Sequence, residues 1–223
     1  QGEGGIHPAT PEFLRGLRKL CDERGMLLLF DEVQCGLGRT GDWCGWRSIG
    51  EGVEPDGVSW AKGIANGFPL GSFWVSSTKF DERGPLCDLL GPGSHGTTYG
   101  GNPVCCAASL KVLEIIERDG LLAKSSELGN ALASALQSLE SPLIQEIRHI
   151  GLMVGVELSP DFPKTERTPA LEVVNRAMAA GLLVIPSGER VIRFLPPLNV
   201  DSREIDEAVQ KFAAVLKGVS SAS

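Results

Sequence analysis

The sequence predicts an α/β protein, with part of a parallel-sheet domain followed by a smaller α+β domain. Short apolar runs bounded by glycine, such as residues 27–30, are typical of strands buried in a parallel sheet, and helical patterns alternate with them. Beyond Pro142 the pattern changes to short alternating segments, which favours an α+β arrangement. We therefore predict a large-domain part over residues 1–104, connecting helices over 105–142 and a small domain over 143–223.

Local signals define the first helix and the first strand. Thr10-Pro11-Glu12 places a capping residue, a proline and an acidic side chain where helices begin, and Gly25 is typical of a helix end. The apolar run that follows stops at Asp31, and we predict a strand buried on both faces. Residues 35–56 have no clean period, so we predict a long loop over the surface.

The same kinds of signal define the remaining elements. Two further strands are predicted at 57–61 and 72–76, and a glycine-rich loop over 91–102 precedes a long helix. Beyond this loop the predicted elements are helices at 103–118 and 125–139, strands at 152–158, 182–185 and 191–195, a helix between Thr168 and Gly181, and a final helix from Asp201.

Composition argues against several classes of function. The chain has 223 residues, 42% hydrophobic content and a formal net charge of −7, which argues against nucleic acid or an anionic membrane as a partner. No apolar run reaches the roughly 20 residues that a membrane helix needs. The six cysteines include no C-x-x-C pair and the three histidines are scattered, which favours reduced cysteines in a cytoplasmic protein over a metal site.

Asp31 and Lys62 form the first candidate site, because each follows a short apolar run. In an open α/β sheet, functional residues collect beyond the carboxyl ends of the strands. A carboxylate beside apolar bulk requires a cation, and a lysine in such a place loses its charge easily, which suits it to Schiff-base chemistry. Each residue alone also fits an ordinary role, Lys62 as a solvated surface side chain and Asp31 as a turn cap.

Two further segments carry candidate binding groups. Residues 94–103 offer hydroxyls and backbone amides directly before a helix start, which suits an anion or phosphate, although a plain glycine-rich turn has the same composition. Arg193 is a lone cation in an apolar strand and needs a carboxylate from the protein or from a ligand. Glu3, in a glycine-rich segment, is one candidate partner.

Several motifs, in the same order along the chain, resemble those of the class III aminotransferases of the ornithine/acetylornithine type. The longest is LFDEVQCGLGRTG at residues 29–41, and the chain opens with QGEGG. The other matching segments are 54–56, 61–63, 95–98, 101–103, 151–153 and 193–198. Any one of them would be a weak signal, but together they span nearly the whole chain and are highly specific.

The resemblance implies a fold-type I enzyme that uses pyridoxal 5′-phosphate. Lys62 would hold the cofactor through a Schiff base and move protons during the reaction, and Asp31 would pair with the protonated ring nitrogen. Arg193 would grip a substrate carboxylate, and Glu3 would pair with Arg193 when the substrate offers none there. The implied cofactor contacts are Asp31, Glu32, Val33, Gln34, Lys62 and, reaching a partner subunit, Thr98; the implied substrate contacts are Glu3, Thr97 and Arg193.

The implied function is transfer of an amino group from N-acetylornithine, or a similar ω-amine, to 2-oxoglutarate by ping-pong chemistry in a cytoplasmic homodimer. In this family the step belongs to arginine biosynthesis. Ornithine, 4-aminobutyrate and succinylornithine are alternative donors. Outside the family, a nucleotide-binding module would need a G-x-G-x-x-G or G-x-x-x-x-G-K-[ST] loop, which the sequence lacks, and a catalytically incomplete fragment is the other alternative.

The chain departs from the family in length. Members carry a long portion before the QGEGG motif, which supplies a glycine loop for the phosphate, an aromatic residue stacked on the cofactor and an arginine for the substrate. Here that motif opens the chain, and there is neither an initiator Met nor a signal-peptide pattern. We therefore expect a C-terminal fragment of a longer protein.

Overall fold

The computed structural model describes residues 1–50 and 52–220, which fall into two compact units. Of the described residues, those within Ala9–Gly38 and Asp42–Gly120 form the Lys62 unit, and those within Gln1–Pro8, Arg39–Gly41 and Leu121–Ser223 form the Arg193 unit. The segment predicted to connect two domains, residues 105–142, is divided between the units at residue 120. The predicted domain boundaries themselves stay a prediction.

The described residues of the Lys62 unit form ten elements. Its main sheet has three strands in the order β1-β2-β3, with β1 and β2 parallel and β3 antiparallel to β2. A small hairpin, β4-β5, follows. The elements are α1 (Pro11–Arg24), β1 (Leu29–Asp31), α2 (Gly45–Ile49), β2 (Gly57–Trp60), a 3-10 helix (Lys62–Ala65), β3 (Ser72–Val75), β4 (Lys79–Asp81), β5 (Gly84–Pro85), α3 (Leu86–Leu89) and α4 (Pro103–Arg118).

Helix α1 begins and ends where the sequence predicts. The Thr10 side chain accepts a hydrogen bond from the amide of Phe13, and Gly25 ends the helix in the left-handed conformation that glycine adopts readily. The buried side of α1, with Leu14 and Cys21, packs into the core of the unit beside Val58 of β2. This packing covers one face of the sheet.

Strand β1 is shorter and more exposed than predicted. It has three residues, and Leu29 and Asp31 on one of its faces are both exposed. Phe73 of β3, which shares a cross-strand row with Ser59 and Asp31, is 54% exposed as well. A strand is buried on both faces only when both faces of its sheet are covered, and the described residues leave this face open. The prediction of a doubly buried strand is therefore wrong.

The segment 35–56 is also not the surface loop that was predicted. It contains α2, and Cys44, Trp46 and Val53 lie in the core of the Lys62 unit. The reason is a capping contact from outside the segment: the buried carboxylate of Glu32 accepts hydrogen bonds from the first amides of α2. A cap supplied by a distant residue leaves no local signal in the sequence.

The Arg193 unit is an antiparallel sheet covered by helices. The strand order is β6-β7-β9-β8, and a single large core surrounds fully buried residues such as Leu136, Val154 and Phe212. Its elements are α5 (Leu121–Gln137), β6 (Ile144–Ile150), β7 (Met153–Leu158), α6 (Pro169–Ala179), β8 (Ile185–Ser187), β9 (Val191–Phe194) and α7 (Ser202–Ser220).

The predicted small domain is α+β, as observed, but some boundaries differ. β6 was not predicted, because its sequence IQEIRHI has no strict alternation. The strand predicted at 182–185 begins only at Ile185, and α5 begins at Leu121 rather than at residue 125. Helix and strand ends depend on tertiary contacts that periodicity does not record.

One corner of this unit depends on close backbone contact. Arg39 donates hydrogen bonds to the carbonyl oxygens of Leu152 (3.2 Å) and Pro196. Gly151 has φ +50°, and a Cβ there would lie 2.6 Å from the Arg39 carbonyl oxygen. A Cβ on Gly129 would lie 2.0 Å from the Gly151 carbonyl oxygen, so both positions require glycine. Burial lowers the pKa of Arg39 to about 10.

Within the described ranges, no helix is long and apolar enough to cross a bilayer.

Candidate functional site

Asp31 and Lys62 lie at the same edge of the three-stranded sheet. Asp31 ends β1 and pairs with Ser59 in the parallel register, and Lys62 follows β2 three residues beyond Ser59. Because parallel strands direct their carboxyl ends to one edge, the two side chains belong to the edge where α/β proteins carry their chemistry. The structure therefore confirms that the two strands are adjacent and that Asp31 and Lys62 follow their carboxyl ends.

Asp31 presents its carboxylate at this edge without a cationic side chain. Its Oδ1 atom accepts a hydrogen bond from the amide of Val33 (2.9 Å), which orients the group. Among the described residues no lysine, arginine or histidine forms an ion pair with it. Asp31 is exposed, so its second oxygen is available to a ligand.

Lys62 stands in an unusual backbone conformation. Its φ is +48°, a value that non-glycine residues rarely adopt, and it opens the 3-10 helix that ends before Asn66. The side chain is exposed and makes no hydrogen bond or ion pair in the part of the chain that the structure describes. Backbone strain at a reactive residue is typical of functional sites, where surrounding structure holds the residue in place.

Glu32, the neighbour of Asp31, is directed into the protein. It is 3% exposed, and its carboxylate accepts hydrogen bonds from the amides of Gly45 (2.7 Å) and Trp46 (3.2 Å) and from the Cys35 thiol (3.2 Å). Burial raises the pKa of Glu32, and these hydrogen bonds only partly oppose the shift. The observed contacts give Glu32 a role in holding the end of β1 to α2; a cofactor contact stays a prediction.

Two cysteine thiols, half-buried Cys35 and buried Cys44, accompany Glu32. Burial and the nearby carboxylate raise the pKa of Cys35 and of Cys44 to about 12. Both thiols therefore stay protonated at neutral pH and are poor nucleophiles.

Val33 and Gln34, which follow Glu32, are half-buried at the end of the strand.

The strand end is also held by a close contact between Gly36 and Trp60. A Cβ on Gly36 would lie 2.9 Å from the Trp60 ring and 2.9 Å from the Glu32 carbonyl oxygen. Glycine at this position lets the chain turn back directly over the end of β2. The sequence marks Gly36 as the boundary of the apolar run, but it does not predict the contact with Trp60, because the two residues are 24 positions apart.

The glycine-rich loop before α4 is exposed. Thr97 and Thr98 both lie on the surface, and Asn102 caps α4 by accepting hydrogen bonds from the amides of Val104 (3.0 Å) and Cys105 (3.3 Å). These two amides are consequently engaged within the protein. The proposed phosphate and substrate contacts of Thr98 and Thr97 stay predictions.

Arg193 and Glu3 form the ion pair that the sequence suggested. Arg193 lies in β9 with its side chain 5% exposed, and its Nη1 and Nη2 atoms donate to the two carboxylate oxygens of Glu3 at 2.7 and 3.3 Å. Arg193 Nε is buried and has no hydrogen-bond partner in the described part of the chain. The Glu3 side chain is 78% exposed, so this acid is in a position to leave. Such a guanidinium is suited to bind a ligand carboxylate.

Across the described residues, no cluster of three or more His, Cys, Asp or Glu side chains is arranged to hold a metal ion.

Comparison with known proteins identifies the family of this chain. The model of the family "Aminotransferase class-III" matches residues 1–216. Acetylornithine aminotransferase 1 of Bordetella parapertussis is 45% identical over 221 residues, which make up 97% of this chain and 51% of the relative.

Two solved structures support the same relationship. The N-acetylornithine aminotransferase of Stenotrophomonas maltophilia K279a superposes with a TM-score of 0.84 at 32% identity, covering 100% of this chain and 56% of that one. The ornithine aminotransferase of Toxoplasma gondii gives a TM-score of 0.84 at 31% identity, covering 100% of this chain and 50% of that one.

The sheet has parallel and antiparallel strands, with an aspartate and a lysine at its carboxyl edge. Together with the similarity to the solved aminotransferase structures, this architecture places the chain among the fold-type I transferases, as predicted. The chain belongs to the class-III aminotransferase family, since the family model matches almost its whole length. It spans about half the length of the curated relatives it matches.

Proposed function

We propose that the protein containing this chain is a pyridoxal-phosphate-dependent aminotransferase that moves an amino group from N-acetylornithine, or a similar ω-amine, to 2-oxoglutarate. The observation that carries the proposal is the position of Asp31 and Lys62 at the same sheet edge in a chain of this family. Curated relatives at 45% identity are acetylornithine aminotransferases, and the Toxoplasma relative was described with pyridoxal phosphate at its active site.

The donor set fits the cofactor. An exposed carboxylate without a protein cation, Asp31, suits a protonated ring nitrogen, and an exposed amine in strained backbone, Lys62, suits a covalent attachment. Val33 and Gln34, half-buried beside Asp31, would contact the ring, and Thr98 would reach the cofactor phosphate in the partner subunit of a homodimer. When bound, the cofactor supplies an electron sink next to the substrate's reacting carbon.

Lys62 has two tasks in this mechanism. Its Nζ atom would hold the cofactor covalently. The same Nζ atom would also serve as general base and acid, accepting the proton from the substrate's reacting carbon and donating it again. The Val33 amide holds the Asp31 carboxylate in orientation.

Arg193 and Glu3 together would accept substrates with a carboxylate next to Arg193 and substrates without one. Arg193 binds the carboxylate of 2-oxoglutarate through its two Nη atoms, and Glu3 takes that place when the amine donor has no carboxylate to offer there. Thr97 would lie beside the substrate. The setting we propose for this step is arginine biosynthesis in the cytoplasm.

Replacement of the lysine tests the proposal. Lys62→Ala should remove the absorbance band of the lysine-bound cofactor and lower transamination at least about a thousandfold, as loss of a covalent catalytic group does. Lys111→Ala, which removes an exposed lysine of α4 paired with Glu114, is the matched control and should keep both signals. Full activity of Lys62→Ala would refute the assignment.

Amine profiling identifies the donor. We expect kcat/KM with N-acetylornithine to exceed that with ornithine, 4-aminobutyrate or succinylornithine, because curated relatives that are 42–45% identical to this chain are named acetylornithine aminotransferases. A preference for ornithine would move the assignment to the other branch of the family, and no turnover with any amine would favour a catalytically incomplete chain.

A further inference from the structure

The strand register of the Arg193 unit places two arginines on either side of a glycine. Arg148 of β6 is opposite Gly155 of β7, and Gly155 is opposite Arg193 of β9. Residues directly opposite each other in neighbouring strands point to the same face of the sheet. The two guanidinium groups therefore flank a position on this face that has no side chain.

The main chain of the segment that carries Glu3 fills the space above Gly155. A Cβ on Gly155 would lie 2.9 Å from the Gly5 carbonyl oxygen and 3.0 Å from Ile6 Cβ. Only glycine allows so close an approach. On the far side of the segment, the Ser187 hydroxyl of β8 donates a hydrogen bond to the Glu3 carbonyl oxygen.

Arg148 binds this main chain directly. Its Nη2 atom donates to the Gly5 carbonyl oxygen and its Nε atom donates to the Ile6 carbonyl oxygen, each at 3.0 Å. Ile6 has φ +58° and is 1% exposed, a costly conformation for a β-branched residue. Such strain persists only where surrounding contacts hold it, and the two hydrogen bonds from Arg148 lie at this point.

The two arginines differ in how exposed their acid partners are, since the side chain of Glu157, a partner of Arg148, is only 21% exposed. Arg148 pairs with Glu146 and Glu157, which are its neighbours on β6 and β7. Burial alone would lower the pKa of Arg148, but these hydrogen bonds raise it above its ordinary value. Arg193 pairs with Glu3, whose side chain is 78% exposed. Arg148 is thus a fixed anchor, and Arg193 is the guanidinium with a removable partner.

We propose that Arg148 is a positioning residue that sets how readily Glu3 leaves Arg193, and so sets the balance between substrates with and without a carboxylate at that point. The inference rests on the proposed function for the roles of Arg193 and Glu3. Arg148 contacts the backbone of the segment, so it acts through Glu3 and does not touch the substrate. Without it, the segment gains alternative conformations, and Arg193 is free of Glu3 for a larger fraction of the time.

The first test measures the segment itself. In Arg148→Met, hydrogen–deuterium exchange of a peptide covering residues 1–8 should accelerate, while exchange in β9 stays unchanged. Arg190→Met is the matched control, because Arg190 also faces Glu157 (3.7 Å) and has no hydrogen bond to residues 1–8 in the described structure. Equal exchange of the segment in wild type and Arg148→Met would overturn the proposal.

The second test measures Arg193 with a simple probe. Glutarate, a dicarboxylate without an amine or keto group, should bind Arg148→Met about three- to tenfold more tightly than wild type in calorimetry, the range expected for coupling between contacting residues. The two KM values should change in opposite directions: compared with wild type, Arg148→Met should have a lower KM for 2-oxoglutarate and a higher KM for the ω-amine. Unchanged glutarate affinity, or equal changes of both KM values, would overturn the proposal.

A conservative variant separates charge from geometry. Arg148→Lys keeps a cation beside Glu157 but cannot donate to the two carbonyl oxygens of Gly5 and Ile6 in the same fork, so exchange and glutarate affinity should lie between wild type and Arg148→Met. It also carries the test if Arg148→Met does not fold. A wild-type protein without transaminase activity would refute the proposed function, whereas the exchange experiment would still decide the role of Arg148.

Discussion

At the residue scale, backbone conformation distinguishes the key positions. Lys62 and Ile6 are non-glycine residues with positive φ, and each lies at or beside a motif of the family. Leu37, within the longest motif, has φ +56° as well. Such backbone strain persists only where neighbouring contacts outweigh it. These three conformations therefore depend on the packing around each residue.

Glu32 provides a prediction about pH. Its pKa is raised in the folded protein above the ordinary 4.5, so between these values the folded state holds a proton that the unfolded state has released. Stability should therefore fall as pH rises through this window in wild type, relative to Glu32→Gln, which cannot ionise. Urea unfolding of both proteins at intervals between about pH 4 and 8 measures the difference.

The control for this experiment is Glu54→Gln, which changes an exposed carboxylate of the same unit. Its stability curve should run parallel to that of the wild type through the Glu32 window. A Glu32→Gln curve that also ran parallel would contradict the burial and hydrogen bonding described for this carboxylate.

At the scale of elements, Asp56 joins a helix to two strands. Its Oδ2 atom accepts hydrogen bonds from Arg18 of α1 (2.8 Å) and from the amide of Leu28, just before β1 (2.7 Å). Its own amide donates to the Leu28 carbonyl oxygen. The position therefore fixes α1 and the start of β1 beside β2, at the end opposite to Asp31.

Removing this carboxylate should destabilise the protein measurably. Asp56→Ala removes one acceptor of the part-buried Arg18 guanidinium and the side-chain acceptor of the Leu28 amide, so we expect a loss of about 1–3 kcal/mol in the free energy of unfolding by urea. Asp22→Ala removes the more exposed partner of the same Arg18 and should cost no more than about 1 kcal/mol. Equal losses in the two variants would refute the role assigned to Asp56.

At the scale of the whole molecule, the described residues form two units with separate cores. The residues proposed to hold the cofactor, Asp31 and Lys62, belong to one unit, and the arginine proposed for the substrate carboxylate belongs to the other. Ligands of the two kinds should therefore protect different parts of the chain from hydrogen exchange.

Cofactor binding gives the corresponding prediction. Pyridoxal phosphate at about a hundred times its Kd should stabilise the protein by about 2.7 kcal/mol. The added protection should be concentrated in the Lys62 unit, in β1, β2 and the 3-10 helix. Thermal unfolding and hydrogen exchange with and without the cofactor measure both effects. Protection confined to the Arg193 unit would contradict the assignment of the cofactor residues.

The sequence alone was sufficient for much of the fold and for the candidate residues. The helix starts at Thr10, Asn102 and Thr168 depend on capping side chains within a few positions, and the structure confirms all three. The family was also predictable, because its motifs stand in order along the chain. Local chemistry and motif order are properties that a linear sequence records directly.

Only the tertiary structure decided which distant groups meet. The capping of α2 by Glu32 and the row from Arg148 through Gly155 to Arg193 depend on burial and cross-strand register, which join residues far apart in sequence. The exposed face of β1 has the same origin, since an apolar run is buried only if other residues cover it. The sequence by itself determined the chemistry that Asp31 and Lys62 carry; three-dimensional packing decided how that chemistry is held, because hydrogen bonds and steric fit act through space.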